Sequence, residues 1–300
     1  MLKGPSSDSL HQAFKGVACA VSAFLIWGLS PIYWKALKAV PAFEILMHRM
    51  IWSFVFLMPL VISQGQWSEF VGALKNRRIL GILTVTTLIV GANWFLFIWA
   101  INSDHILQTS LGYYINPLVN VVLGLVFLKE RLRPLQILAV LLAGLGVTYL
   151  TIQFGEPPWV ALAIAFTFGF YALIRKVAPV SSLVGLSIET MLLSLPALGY
   201  LVYLDVNGQG SFLRLAWTLD LLMVGAALVT AFPLLLFTVG ARRLNLATVG
   251  LLQYLAPSCT FMLAVFYYHE PFIKAQLWTF VMIWTALIIY SYDSIRQFLR

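Results

Sequence analysis

Tyr114-Ile115-Asn116-Pro117, with Glu130 downstream, returns as Tyr254-Leu255-Ala256-Pro257 with Glu270 downstream, at a constant offset of 140 residues. Self-similarity at a fixed spacing marks an internal duplication. The same shift brings Gly28 and Lys35 close to Gly169 and Lys176, and with a few extra residues Glu44 falls near Glu189. The echo therefore extends over a whole half-chain, and both halves are overwhelmingly apolar. If each half crosses a bilayer an odd number of times, the second copy is inverted relative to the first, which is the architecture of alternating-access transporters.

Composition identifies the solvent. Hydrophobic residues make up 61% of the chain and charged residues 10%, with a mean hydropathy of +0.91, far from the soluble norm of about half apolar and a quarter charged. This is the signature of a membrane protein, and spans of about 20 residues with short connections use up nearly all 300 positions. A net charge of +8 would fit nucleic acid, but the basic residues are scattered over short loops instead of gathering on one face. Cys19 and Cys259 lie in apolar runs of different halves without metal-ligand spacing and read as small buried residues. The first apolar stretch is too long for a signal peptide and lacks a small-residue exit, so it is expected to stay as the first span.

Ten spans are expected, at roughly 15–36, 42–63, 79–101, 106–127, 134–153, 158–175, 183–204, 218–240, 246–267 and 273–294. Only a helix satisfies its own backbone across such runs, so the fold class is an all-α membrane protein. With the N-terminus cytoplasmic, only Lys35, Lys38, Arg49, Arg214 and Lys274 of the nineteen basic residues lie at or beyond the outer rim, in accord with the positive-inside rule. Both termini are then cytoplasmic. The stretch 154–157 with Gly155 and Pro157, and Pro158 after it, is the natural seam between five spans and five, dividing the chain into 1–153 and 154–300. Small residues recur every fourth position at Ala161, Ala165 and Gly169, and at Ala139 and Ala143, a pattern that lets helices approach closely.

Five phrases carry a family resemblance: Phe24-Leu25-Ile26-Trp27-Gly28; Glu44-Ile45-Leu46-Met47-His48-Arg49; Asn93-Trp94-Phe95-Leu96-Phe97-Ile98-Trp99-Ala100; Leu111-Gly112-Tyr113-Tyr114-Ile115-Asn116-Pro117-Leu118-Val119-Asn120; and Gln253-Tyr254-Leu255-Ala256-Pro257. Together they resemble the RarD proteins in the EamA branch of the drug/metabolite transporter superfamily, nearly end to end. The resemblance implies ten transmembrane helices as two inverted five-helix EamA repeats, residence in the bacterial inner membrane and transport of small molecules, with chloramphenicol sensitivity as the namesake phenotype. One departure is that Lys129 and His269 precede the repeat-ending glutamates where relatives often carry glycine.

Charged side chains inside spans cost at least about 2.5–3.5 kcal/mol and usually face a partner or a watery cavity. Glu44 and His48 are four apart on one helix face, and Arg49 lies about 100° further round. Arg49 suits a carboxylate or zwitterion, and the Glu44/His48 pair suits a proton relay; the alternative is a structural ion pair locking span two to a neighbour. Glu189 is the inverted counterpart of Glu44, either a second gate group or a buried partner for an arginine. On span four Tyr113, Asn116 and Asn120 fall at i, i+3 and i+7 beside Pro117, whose ring frees a carbonyl; they read as cavity lining or as interhelical hydrogen bonds. The second copy offers Gln253, Tyr254 and Pro257. Trp27, Asn93, Trp94, Tyr114 and Tyr171 would stack against a planar solute or pack between helices, whereas Trp67, Trp159, Trp217 and Trp278 read as interface-belt residues.

These features point to a secondary transporter moving a small polar or amphipathic metabolite or drug by alternating access. No catalytic residue, metal or cofactor is expected beyond coupling to protons. The expected partners are the solute and the lipid bilayer, with a homodimer left open and nucleic acid excluded. No G-x-x-x-x-G-K-[ST], H-E-x-x-H or G-x-S-x-G motif occurs. The competing readings are an intramembrane enzyme using His48 and Glu44 as acid and base on a lipid-linked substrate, and a non-transporting assembly protein.

Overall fold

The computed structural model describes residues 7–102, 106–155, 159–269 and 274–298, and every element among them is helical. In chain order these are α1 (Ser7–Ala36), α2 (Ala42–Ser63), α3 (Trp67–Lys75), α4 (Arg77–Asn102), α5 (Ile106–Phe127), α6 (Pro134–Phe154), α7 (Trp159–Val177), α8 (Ser182–Val206), α9 (Trp217–Arg243), α10 (Leu246–Gln253), α11 (Leu255–Met262), a π-helical turn (Leu263–Tyr267) and α12 (Lys274–Phe298). Among the described residues nine helical runs are long and apolar enough to cross a membrane, and Leu111–Phe127 is a shorter apolar run. That run belongs to α5, whose 22 residues extend about 33 Å, the thickness of a hydrocarbon core. The ten expected spans are thus α1, α2, α4 to α9, α10 with α11, and α12.

Local chemistry places the helix ends. Asn76 caps α4 by accepting from the backbone N–H groups of Arg78 and Ile79 at 3.0 and 3.2 Å, and the Ser181 hydroxyl caps α8 at Val184. Pro134 opens α6, and Gly155 closes it in the left-handed region at φ 72°. Pro157, Pro158 and Glu270 lie outside the described residues. Lys129 and His269 both adopt left-handed backbone, at φ 53° and 52°, a conformation that favours glycine.

The helices pair as an inverted duplication requires. Counting spans within each half, second packs on second (α2 on α8), fourth on fourth (α5 on α10) and fifth on fifth (α6 on α12). First packs on third in both senses, α1 on α9 and α7 on α4. Such an exchange is what a two-fold axis lying in the membrane plane produces. Gly28 of α1 accordingly faces Ala256 and Cys259 of α11, while Gly169 of α7 faces Val119 and Leu123 of α5. The stripes Ala161/Ala165 and Ala139/Ala143 are fully buried. Large apolar side chains such as Leu88, Leu145, Ile152 and Leu195 point outward, as lipid-facing positions do.

Two departures from the sequence reading have physical causes. The connection after span two holds α3, whose nine residues are too short to register as a span; Trp67 and Phe70 stack on it at 5.5 Å. Pro117 was expected to free a carbonyl, yet α5 runs unbroken through that proline and the interruption falls in the second copy, at Tyr254 between α10 and α11. Pro257 supplies no N–H to the carbonyl of Gln253, and the Tyr254 N–H bonds three residues back to Leu251. Gly250 permits α10 to meet α5 there, since a Cβ would sit 2.5 Å from the Pro117 carbonyl oxygen.

Gly250→Ala is therefore expected to destabilise the protein by about 1–3 kcal/mol through overpacking. Gly144→Ala, where nothing lies within 4 Å of the added Cβ, should be neutral or slightly stabilising. Thermal unfolding of the two variants in detergent checks the contrast.

Candidate functional site

The start of α1 and the end of α12 lie at one end of the bundle, Gln12 accepting from Arg243 at the end of α9 and Asp293 pairing with Arg133 at the start of α6. At the far end the start of α2 meets the connection between α8 and α9. Glu44 is buried there, and its carboxylate accepts from the Ser211 backbone N–H at 2.7 Å and from the Ser211 hydroxyl at 2.8 Å. His48 Nε2 lies 4.0 Å from the same carboxylate, while its Nδ1 accepts from the Trp52 indole N–H at 3.3 Å. Phe212 covers the imidazole at 4.7 Å. Glu44 and His48 thus share a face as their spacing implies, yet Glu44 principally anchors the α8–α9 connection.

Arg49 points elsewhere. Its guanidinium lies 4.5 Å from the centroid of Trp94 on α4 and 5.8 Å from that of Trp34 on α1, within electrostatic reach of Tyr113 on α5. Nε is buried without a hydrogen-bond partner, and no carboxylate among the described residues pairs with the group. Tyr113 is 45% exposed, so the aromatic surround is open on that side. Four helices of the first half thus converge on one unpaired cation, about 10 Å along α2 from its start. Ser53, one turn further along the same side of α2, also has a buried hydroxyl without a partner, extending the polar stripe toward the midplane.

Of the two readings of Asn116 and Asn120, the interhelical one is realised, and Asn93 and Gln253, placed with the cavity lining, also bond within helix seams. Asn116 donates to the Ala165 carbonyl at 2.7 Å and accepts from Gln253 Nε2 at 2.6 Å, and Asn120 donates to Gln253 Oε1 at 2.9 Å. Asn93 donates to the Ile164 carbonyl and the Thr167 hydroxyl. With lipid as solvent an amide between helices is held by whatever acceptor the neighbour presents, and here that is backbone and another amide. Tyr114 and Tyr254 are likewise packed, the Tyr254 hydroxyl donating to the Tyr114 carbonyl at 3.1 Å and the Tyr114 ring meeting Phe280 at 5.8 Å. Trp27 sits in an aromatic core with Phe24, Phe168 and Phe237.

Toward the termini end a second ionisable group is sealed. Glu189 of α8 accepts from Thr86 of α4 at 2.5 Å and from the Tyr171 hydroxyl of α7 at 3.1 Å, and lies 3.5 Å from Nε of Arg175. Arg175 is 0% exposed and also donates to the Ser182 carbonyl at 3.1 Å. Gly185 makes room for it, since a Cβ there would sit 2.1 Å from the guanidinium. Of the two readings of Glu189, the partner for an arginine is the one realised, and Tyr171 belongs to that quartet instead of facing solute. Removing one member of a buried ion pair strands the other, so Glu189→Ala is expected to cost about 3–5 kcal/mol. Pairing it with Arg175→Ala should cost much less than the sum of the single changes, which thermal unfolding of the double-mutant cycle measures.

Sequence reasoning passed over several residues with definite roles. Glu130, noted only as a repeat marker, accepts from the Leu246 and Ala247 N–H groups at 2.7 and 3.1 Å and so caps α10 of the other half. Arg175 and Lys176 were counted as markers of orientation, but Lys176 donates to the carbonyls of Ala241 and Leu244 at the end of α9, and Arg242 to those of Ala178 and Val180. The only signal available for them was position: basic residues in a last helical turn complement unpaired carbonyls.

The chain is similar to known proteins along most of its length. Residues 14–152 match the EamA-like transporter family. An uncharacterized transporter of Vibrio cholerae is 48% identical over 286 residues, covering 95% of each chain, and Protein RarD of Escherichia coli K12 is 44% identical over 284 residues, covering 95% of this chain and 96% of its own. A solved crystal structure, only 16% identical, superposes with a TM-score of 0.72 over 94% of this chain and 98% of its own, a likeness of fold alone. The chain belongs to the RarD family of the EamA branch of the drug/metabolite transporters, multi-pass proteins of bacterial membranes.

Proposed function

We propose that the protein carries a small organic solute bearing a carboxylate across the bacterial inner membrane by alternating access, with Arg49 as its anchor. The observation that carries this reading is the cation itself. A guanidinium about two turns into a span, buried at Nε, without a counter-charge among the described residues and flanked by two indoles, has a large unmet demand for an anion. A carboxylate would meet it with paired, charge-assisted hydrogen bonds. The rings of Trp34 and Trp94 leave room in that reading for an aromatic or aliphatic body on the solute, amphipathic metabolites and drugs included.

In this reading both termini are cytoplasmic, the far end of the bundle is periplasmic, and the inverted halves, residues 1–153 and 154–300, move against each other about the site. The Arg49 surround is then reached from the periplasm while the Glu189–Arg175–Thr86–Tyr171 quartet closes the cytoplasmic side. Solute binding would favour whichever arrangement holds it best, and the closure exchanges sides without chemistry on the solute.

Purified protein in liposomes tests this by counterflow of radiolabelled monocarboxylates and amino acids. Arg49→Gln is expected to abolish flux, and Arg49→Lys to reduce it at least about tenfold because an ammonium cannot hold a carboxylate in the same bidentate way. Undiminished flux in Arg49→Gln, or conversion of the solute without translocation, would overturn the proposal.

A further inference from the structure

We propose that His48 is a proton-binding site and that proton binding there releases the segment 207–216 as a lid over the far end of the bundle. The proposal deepens the transport reading by naming the coupled ligand, but its physical basis is independent of Arg49.

The lid is held at few points. Glu44 grips Ser211 through both carboxylate oxygens, Phe212 lies on the imidazole of His48 at 4.7 Å and near Trp52 at 6.3 Å, and the Leu213 N–H is held by Asp220 at 2.9 Å. Leu213 itself sits at φ 60°, a left-handed conformation that a leucine adopts only under constraint. Arg214 closes the segment back on Asp205 at 2.5 Å. Most of the lid surface is exposed, Phe212 is seated against an apolar cluster of Leu37, Val40 and Met223, and among the polar contacts only the anchor at Glu44 is buried.

His48 stands where both main anchors meet. Because its Nδ1 accepts from the Trp52 indole, the ring proton belongs on Nε2, which faces Glu44. A proton arriving from the aqueous side would occupy Nδ1 and turn that atom into a donor. An indole N–H is donor only, so the Trp52 contact is lost. The imidazolium then draws the Glu44 carboxylate toward itself and away from Ser211, since the pair starts only 4.0 Å apart. The charged groups facing the ring are Glu44 from its own helix and Asp220 from α9. Asp220 also holds Leu213, so both carboxylates that fix the lid are the ones a charged His48 attracts. One proton thereby weakens the Glu44–Ser211 and Asp220–Leu213 contacts of the lid together, along with the Trp52 bond beneath it.

The test uses the full chain in lipid nanodiscs without solute. Cys19 and Cys259 are replaced by Ser, spin labels are attached through Gln209→Cys and Ala39→Cys, and the inter-label distance is measured by electron double resonance. From about pH 8 to about pH 4, a longer distance should rise roughly tenfold relative to the short one. His48→Gln and His48→Phe, the second keeping the stack on Phe212, should each remove that response. Trp52 fluorescence of the otherwise unlabelled protein, with Trp52→Phe as blank, should titrate over the same range. A distance that ignores pH, or a response that survives in either His48 variant, overturns the proposal. Arg49→Gln, which ends solute binding in the transport reading, should leave the lid response intact, so each reading can fail alone.

Discussion

Hydrocarbon offers no hydrogen bonds, and that single constraint organises the molecule. Each polar group carried into a span must find its partner on another helix, because the alternative is an unmet donor in lipid. Asn116, Asn120 and Gln253 satisfy one another across α5 and α10, and Glu189 gathers Thr86, Tyr171 and Arg175 from two further helices. Polar pairing therefore decides which helices touch, while apolar packing only fills the space between. A few buried polar atoms do go without a partner, Ser53 Oγ, Asn120 Oδ1 and Thr230 Oγ1 among them, but Arg49 differs in carrying a full charge with no carboxylate beside it among the described residues.

The inverted duplication multiplies this economy of partners. Because like spans meet across the two-fold relation, α2 with α8, α5 with α10 and α6 with α12, a feature of one half is recognised by the other. The two copies have nevertheless diverged in chemistry. Glu44 holds a connecting segment at one end of the bundle, whereas its counterpart Glu189 is enclosed with an arginine toward the other. A protein whose ends are built alike in backbone and unlike in charge can close the two sides by different means.

Much of this was legible in the amino-acid order. Span positions followed from hydropathy because length and apolarity are local properties, and the repeat exposed the inversion because five is odd. Arg49 could be singled out since a charge in an apolar run is costly wherever it points. What a side chain meets across the bundle was not legible. Asn116 and Asn120 share a face in any helix, and whether that face looks into water or onto Ala165 depends on the neighbour. The burial of Arg175 was hidden for the same reason, as its position in a last turn suits solvent equally well. The continuity of α5 through Pro117 and the break at Tyr254 were also beyond local reading, because both copies carry the proline and only packing tells them apart.

The cap that Glu130 provides for α10 has a consequence for how the protein is made. The carboxylate is synthesised 116 residues ahead of the Leu246 amide it serves, so for more than a third of the 300-residue chain's synthesis that acid waits without its partner. Its docking cannot begin until the ninth span has left the ribosome and entered the bilayer. Assembly of the bundle is therefore a late event that follows insertion, and neither half on its own possesses the contacts that would complete it.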